Sequence, residues 1–137
     1  MRSSRRASGV MLMVAAILLV SCGGQTTASP SVVRPSSPAV ITIDEPIAGQ
    51  AVTGTTIHVV LSLTGARIVS QTTTHIRPDE GHVHLFVDQV LVSMNYGLEQ
   101  DLPVHPGTYV LSAEFVAADH APFNPRVTSA ETIFTVR

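Results

Sequence analysis

Two histidines two residues apart, His82 and His84, stand in the run Gly81-His82-Val83-His84-Leu85-Phe86-Val87-Asp88, the one segment of the chain whose residue types suit metal chemistry. Alternate residues of a strand share a face, so both imidazoles project together while Val83, Leu85 and Val87 point to the core. Copper or zinc suits such imidazole donors, but two ligands bind weakly, and a useful site needs a third or fourth from elsewhere in the chain. His120 is the first choice, with Asp119 beside it in the loop after a long strand. His75 and His105 lie in other loops, and His58 alternates away from the apolar face of its own strand, which makes it a surface residue. The alternative without metal is a set of partly exposed histidines hydrogen-bonded to loops.

The register of a hairpin bears on a further ligand. If Asp88 and Gln89 form a two-residue turn, Val87 pairs with Val90. Counting back sets His84 opposite Ser93, His82 opposite Asn95 and Val83 opposite Met94. Met94 then belongs to the core face, which disfavours a thioether ligand beside the histidine pair.

The other chemistry-bearing residue is Cys22, the single cysteine. It ends the tetrad Leu19-Val20-Ser21-Cys22, behind a segment with Arg2, Arg5 and Arg6 and an apolar run from Val10 to Val20 that is short for a bilayer span. This arrangement resembles the signal segment of bacterial lipoproteins. The resemblance implies cleavage between Ser21 and Cys22 after Sec export, with a diacylglyceryl group on the Cys22 thiol and in many bacteria a further acyl chain on the new amine. Each buried methylene adds roughly 0.8 kcal/mol of membrane affinity, so two or three chains anchor stably. An uncleaved anchor or an ordinary secretory signal is the competing reading. With Cys22 acylated, neither a disulfide nor a thiol nucleophile is available, and stability rests on packing.

Removing the first 21 residues of 137 leaves 116, enough for one domain with a modest core. That part holds five Arg and no Lys against ten acids, a net charge of about −5, which argues against a nucleic-acid partner. Residues 22–39 are rich in Ser, Thr, Pro and Gly and lack apolar periodicity, so they read as an extended tether. Their hydroxyls offer sites for sugars, although nothing in the sequence requires them.

Residues 40–137 change to short β-rich runs between turn residues, with no helical period over ten or more positions. Val40 to Ile43 forms a first strand, and Ile57, Val59, Leu61 and Leu63 are the inward residues of a second that stops at Gly65. Further strands are expected at Ile68 to Thr74, His82 to Val87, Val90 to Met94, Thr108 to Ala117 and Glu131 to Val136. About seven short strands predict an all-β, immunoglobulin-like sandwich. Tyr109, just after Pro106-Gly107, reads either as a tyrosine corner or as a plain core aromatic. With two Tyr, four Phe and no Trp, the chain has no aromatic stripe for stacking sugars or bases.

Three resemblances bear on the histidines. Gly81 to Asp88 resembles the G-F-H-V-H-x-F-G-D stretch of copper/zinc superoxide dismutases, which implies copper ligation by His82 and His84 on an outward sandwich face. Val87 replaces that family's glycine, no zinc-loop histidine series follows, and its disulfide has no counterpart, so dismutase activity is not implied. The order from Tyr109-Val110-Leu111-Ser112 through Ala118-Asp119-His120 to Ile133-Phe134-Thr135-Val136 resembles copper-resistance proteins of the CopC type, without their glycine before the histidine or their N-terminal histidine ligand. The longest resemblance is to small secreted bacterial domains with a G-H-H-H-L-L-I-D-like motif, a P-P-G-x-H/Y-T-L strand and a D-H-x-P-x-x-P-x-V-x-S end. These match Gly81 to Asp88, Pro106 to Leu111 and Asp119 to Ser129 in order, and imply the fold and a role for the histidines without an activity.

The sequence holds no Ser/His/Asp spacing, phosphate loop or HExxH motif, and Asp79-Glu80 are adjacent in a turn and point apart. The first functional expectation is therefore a non-catalytic module, lipid-anchored to the cell or outer membrane outside the cytoplasm, with an envelope-structural or protein-binding role. The alternative is a copper or zinc protein using His82, His84, His120 and Asp119.

Overall fold

In the computed structural model the described residues are 33–137; the expected signal segment, the expected cleavage and lipidation residues Ser21 and Cys22, and the first part of the expected tether lie outside them. Among the described residues every regular element is a strand. Ten follow in order: β1 Val40–Glu45, β2 Ala51–Val52, β3 Thr56–Thr64, β4 Arg67–Ile68, β5 Glu80–Val87, β6 Val90–Asn95, β7 Glu99–Pro103, β8 Gly107–Ala117, β9 Pro122–Thr128 and β10 Thr132–Val136. One sheet has the order β1-β3-β7; the other runs β2-β10-β8-β5-β4, with β6 also paired to β5 and β9 to β8.

Alternation builds the sandwich. On β3, Ile57, Val59 and Leu61 are buried, as their period of two predicts. They meet Val83 and Leu85 of β5, Leu111, Ala113 and Phe115 of β8, Phe123 of β9 and Phe134 of β10 in one core. The all-β, immunoglobulin-like expectation stands, with ten elements where about seven were expected. Tyr109 serves both of its expected roles: its hydroxyl donates to the His105 carbonyl at 2.9 Å, and its ring stacks on Phe134 with centroids 5.5 Å apart.

Several local expectations are corrected. Of the expected Ile68 to Thr74 strand only Ile68 pairs, together with Arg67 before it; further on the segment is irregular, and the Thr73 amide donates to the Ala118 carbonyl. Three strands were not foreseen: the two-residue β2, β7 and β9. β7 hides its period because one of its two inward residues is the polar Gln100, while β9 contains Pro122 and Pro125, which it tolerates because it pairs on one side with β8. The stretch from Val33 to Ala39, expected in the tether, runs against the sandwich: the Asn124 amide donates to the Pro35 carbonyl, and Ala39 belongs to the core.

The hairpin turn forms as expected, with Asp88 and Gln89 both at positive φ, 49° and 67°, and Val87 opposite Val90. The count back from it does not hold. Phe86 faces Leu91, but Leu85 faces Ser93, so Val92 is an extra residue that bulges out of the ladder. Beyond the bulge every position shifts by one, which sets His84 opposite Met94 and Val83 opposite Asn95. Met94 therefore leaves the core face and is more than half exposed.

Candidate functional site: a buried histidine cluster

β5 enters the second sheet through Gly81, whose position is fixed by closeness to β8. A Cβ there would lie 1.9 Å from the Val116 carbonyl oxygen, so the two strands meet only where residue 81 has no side chain. The next residues then alternate between faces: Val83 and Leu85 enter the core, and His82 and His84 take the opposite face. That face is not open. His82 is fully buried and His84 only 7% exposed, so the expected partly exposed histidines are in fact covered.

The cover comes from three directions. The turn after β8 bends sharply at His120, which adopts a left-handed φ of 63° while its amide donates to the Ala117 carbonyl at 2.8 Å. Histidine is among the residues that tolerate that conformation. The irregular segment after β4 supplies Thr72, whose hydroxyl lies 3.1 Å from His120 Nε2. From the β6 side, Tyr96 sets its ring edge-on to His82 at 4.8 Å.

Three imidazoles thus converge from β5 and from a turn 36 residues away. His84 Nε2 and His120 Nδ1 are 3.2 Å apart, and the two rings are within 17° of parallel. Their centroid separation of 5.5 Å is close to the nitrogen–nitrogen distance plus a ring radius at each end, so the two nitrogens meet head-on with one proton between them. His120 also stacks on His82 at 4.2 Å. His82 Nε2 faces the Ala118 carbonyl at 3.1 Å and must carry the hydrogen, which leaves Nδ1 a bare lone pair, buried and without a donor.

Burial holds His82 and His84 below the ordinary histidine pKa; for His82 the Ala118 carbonyl opposes this, and for His84 the neighbouring His120 adds to it. Both rings are neutral at pH 7, the form that binds metal.

Asp119 adjoins His120 in sequence, but its carboxylate turns the other way. Arg34 grips it with two hydrogen bonds, Nη1 to Oδ2 at 2.6 Å and Nη2 to Oδ1 at 2.9 Å, and donates further to the Ala121 and Pro122 carbonyls. The guanidinium holds the Asp119 pKa below its usual value. A second carboxylate, Glu114 of β8, lies directly opposite His84 and is 2% exposed; Arg126 takes both its oxygens, at 2.7 and 2.5 Å. Both nearby carboxylates are therefore engaged by arginines.

The structure brings together His82, His84 and His120 and keeps the other histidines away. His58 is exposed and bonded to Asp101 at 2.8 Å; His75 and His105 are exposed on loops. Sequence reasoning missed Tyr96, Thr72, Glu114 and Arg34. Glu114 follows from the regular pairing of β5 with β8, whereas Tyr96 follows from the β5–β6 register, which depended on a bulge that no residue type announced.

For a metal, the His84–His120 pair is close to fitting without being preformed. A zinc or copper ion sits about 2.0 Å from each imidazole nitrogen, which at the observed spacing puts it off the line joining them, so both rings must turn toward it. The pair needs no net loss of protons to become a ligand pair. A shift of the His84 hydrogen to Nδ1, with His120 donating from Nε2 to Thr72, bares both facing nitrogens.

No family model matches this chain, and no curated protein matches it. Among solved structures it is similar to the fibronectin(III)-like modules of CbhA from Clostridium thermocellum, with a TM-score of 0.52 and 21% sequence identity over 71% of this chain and 94% of that one. At that identity the likeness concerns the fold, and it supports the β-sandwich.

Proposed function

We propose that this protein is a non-catalytic β-sandwich module, anchored through lipid on Cys22 outside the cytoplasm, whose histidine cluster takes up copper or zinc. One observation carries the metal reading. His84 Nε2 and His120 Nδ1, from a strand and a distant turn, face each other at 3.2 Å, and burial favours the neutral, metal-binding form of His84. Asp119, first considered as a ligand, serves instead to hold the His120 turn through Arg34.

The test is titration of Cu(II) and Zn(II) into the detergent-purified, tag-free protein, repeated with His84→Ala and His120→Ala. Submicromolar binding that both substitutions abolish supports the reading. No binding by the unaltered protein overturns it and leaves a plain tethered module with an envelope-structural or protein-binding role. The anchor is tested separately: Cys22→Ala removes lipid labelling and releases the protein from membranes, whereas retention without label points to an uncleaved helix.

A further inference from the structure

The bulge at Val92 changes which donors the histidine face offers. Because of it, Glu114, His84 and Met94 stand in one row across β8, β5 and β6, each directly opposite the next. Directly opposite residues on paired strands share a face, with Cβ atoms about 4.5–5.5 Å apart. Tyr96, two positions beyond Met94 and just past the end of β6, touches His82 and lies 6.4 Å from His120, so the chain leaving β6 reaches the cluster.

Met94 is 58% exposed, so its side chain is not held in the core. Its three rotatable bonds let the sulfur sweep over His84. At the same time the oxygen donors are withdrawn, Glu114 to Arg126 and Asp119 to Arg34. The third imidazole, His82, stacks face-on against His120 and gives its Nε2 hydrogen to the Ala118 carbonyl, so the further donor in the row of His84 is the Met94 thioether.

We propose that Met94 is the third ligand of this site, with His84 and His120, and that the site therefore takes copper(I). The inference rests on the metal-binding reading above and sharpens it. Thioether sulfur is a soft donor that favours copper(I), whereas zinc, in proteins, is held by thiolate, imidazole and carboxylate. A three-coordinate nitrogen, nitrogen, sulfur set suits copper(I), which does not demand the fourth ligand that a structural zinc site has. No electron transfer is part of the proposal; the ion is bound in the reduced state in which it is presented.

The experiment is anaerobic competition for copper(I) against a chromophoric chelator, using the full-length protein in detergent, with zinc titrated in parallel. Met94→Leu conserves volume at an exposed position, and an unchanged circular dichroism spectrum certifies its fold. The expected result is that Met94→Leu weakens copper(I) binding by roughly tenfold or more and changes zinc binding by less than about threefold. X-ray absorption of the copper(I) protein then shows a sulfur neighbour that the variant lacks. If the unaltered protein binds copper(I) and Met94→Leu binds it equally well, Met94 is no ligand and the inference fails while the metal reading survives. Equal losses for copper(I) and zinc also overturn it, because the substitution then acts through the fold. A protein that binds neither ion fails both the inference and the reading beneath it.

Discussion

Arg34 and Asp119, 85 residues apart, are joined by two side-chain hydrogen bonds, and the same guanidinium reaches the carbonyls of Ala121 and Pro122. The chain leading in from the expected anchor is thus fastened to the turn that carries His120. Both side chains are largely shielded from water, at 19% and 25% exposure, so the pair is worth more than a surface ion pair. Arg34→Ala is expected to destabilise the domain by about 1–3 kcal/mol in urea denaturation. The Asp119 pKa is lowered in the folded state, so its contribution is present above the ordinary carboxylate value near 3.8 and is lost as pH falls through the lower folded value. Arg34→Ala should remove that acid-side loss, and a variant with an unchanged profile below pH 4 would show that the pair is energetically idle.

Gly81→Ala tests how closely β5 must approach β8. The added methyl meets the Val116 carbonyl oxygen at 1.9 Å and the Phe115 ring at 2.9 Å, and neither can yield without parting the strands that present His82. A loss of about 3 kcal/mol is expected, at the upper end for overpacking. Retention of full stability would mean that the strands separate freely there and that the histidine face is not rigidly held.

Gln89 sits at φ 67° in the hairpin turn, a conformation that glycine adopts without cost. Gln89→Gly is expected to stabilise the protein by about 0.5–1 kcal/mol, measured as a raised urea midpoint. The adjacent Asp88 should be left unaltered in this test, because its carboxylate accepts the Val110 amide at 2.9 Å. A lowered midpoint would indicate that unfolded-state entropy outweighs the relief at this turn.

The sandwich was legible in the sequence because its core strands alternate without interruption, as Ile57, Val59 and Leu61 illustrate. The His82–His84 pair was legible for the same reason, since residues at a spacing of two share a face, and His120 was reached through its place in the loop after the long strand. β7 and β9 were not, because Gln100 occupies an inward position and prolines interrupt β9. The side of Met94 was also illegible. A bulge adds one residue to a ladder, leaves no composition signal, and inverts the facing of everything beyond it. Arg34 lay in a Ser/Pro-rich run whose composition says only that it cannot form a core, and says nothing about a single long side chain finding a carboxylate.

The buried histidines set a pH dependence of opposite sense to the usual surface histidine–carboxylate pair. Burial lowers the folded pKa of His82 and His84, while unfolding returns both to about 6.5. Below about pH 6.5 the unfolded chain takes up protons that the folded chain refuses, so stability is full above that value and declines as pH falls from it toward the folded values. His58 works the other way: its bond to Asp101 raises its pKa, so its small, solvent-screened contribution is present below about 6.5 and is lost as pH rises through the folded value. Metal-free protein in chelator should therefore unfold at lower urea concentration at pH 5.5 than at pH 7.5. That window lies above the range in which Asp119 titrates, so the histidines dominate it. His82→Gln with His84→Gln should flatten the slope across the window even though the doubly altered protein is less stable at neutral pH. A histidine ring titration by nitrogen-15 NMR checks the same point directly, since both rings should titrate below the ordinary histidine value of 6.5, and a ring titrating at or above it would contradict the burial account.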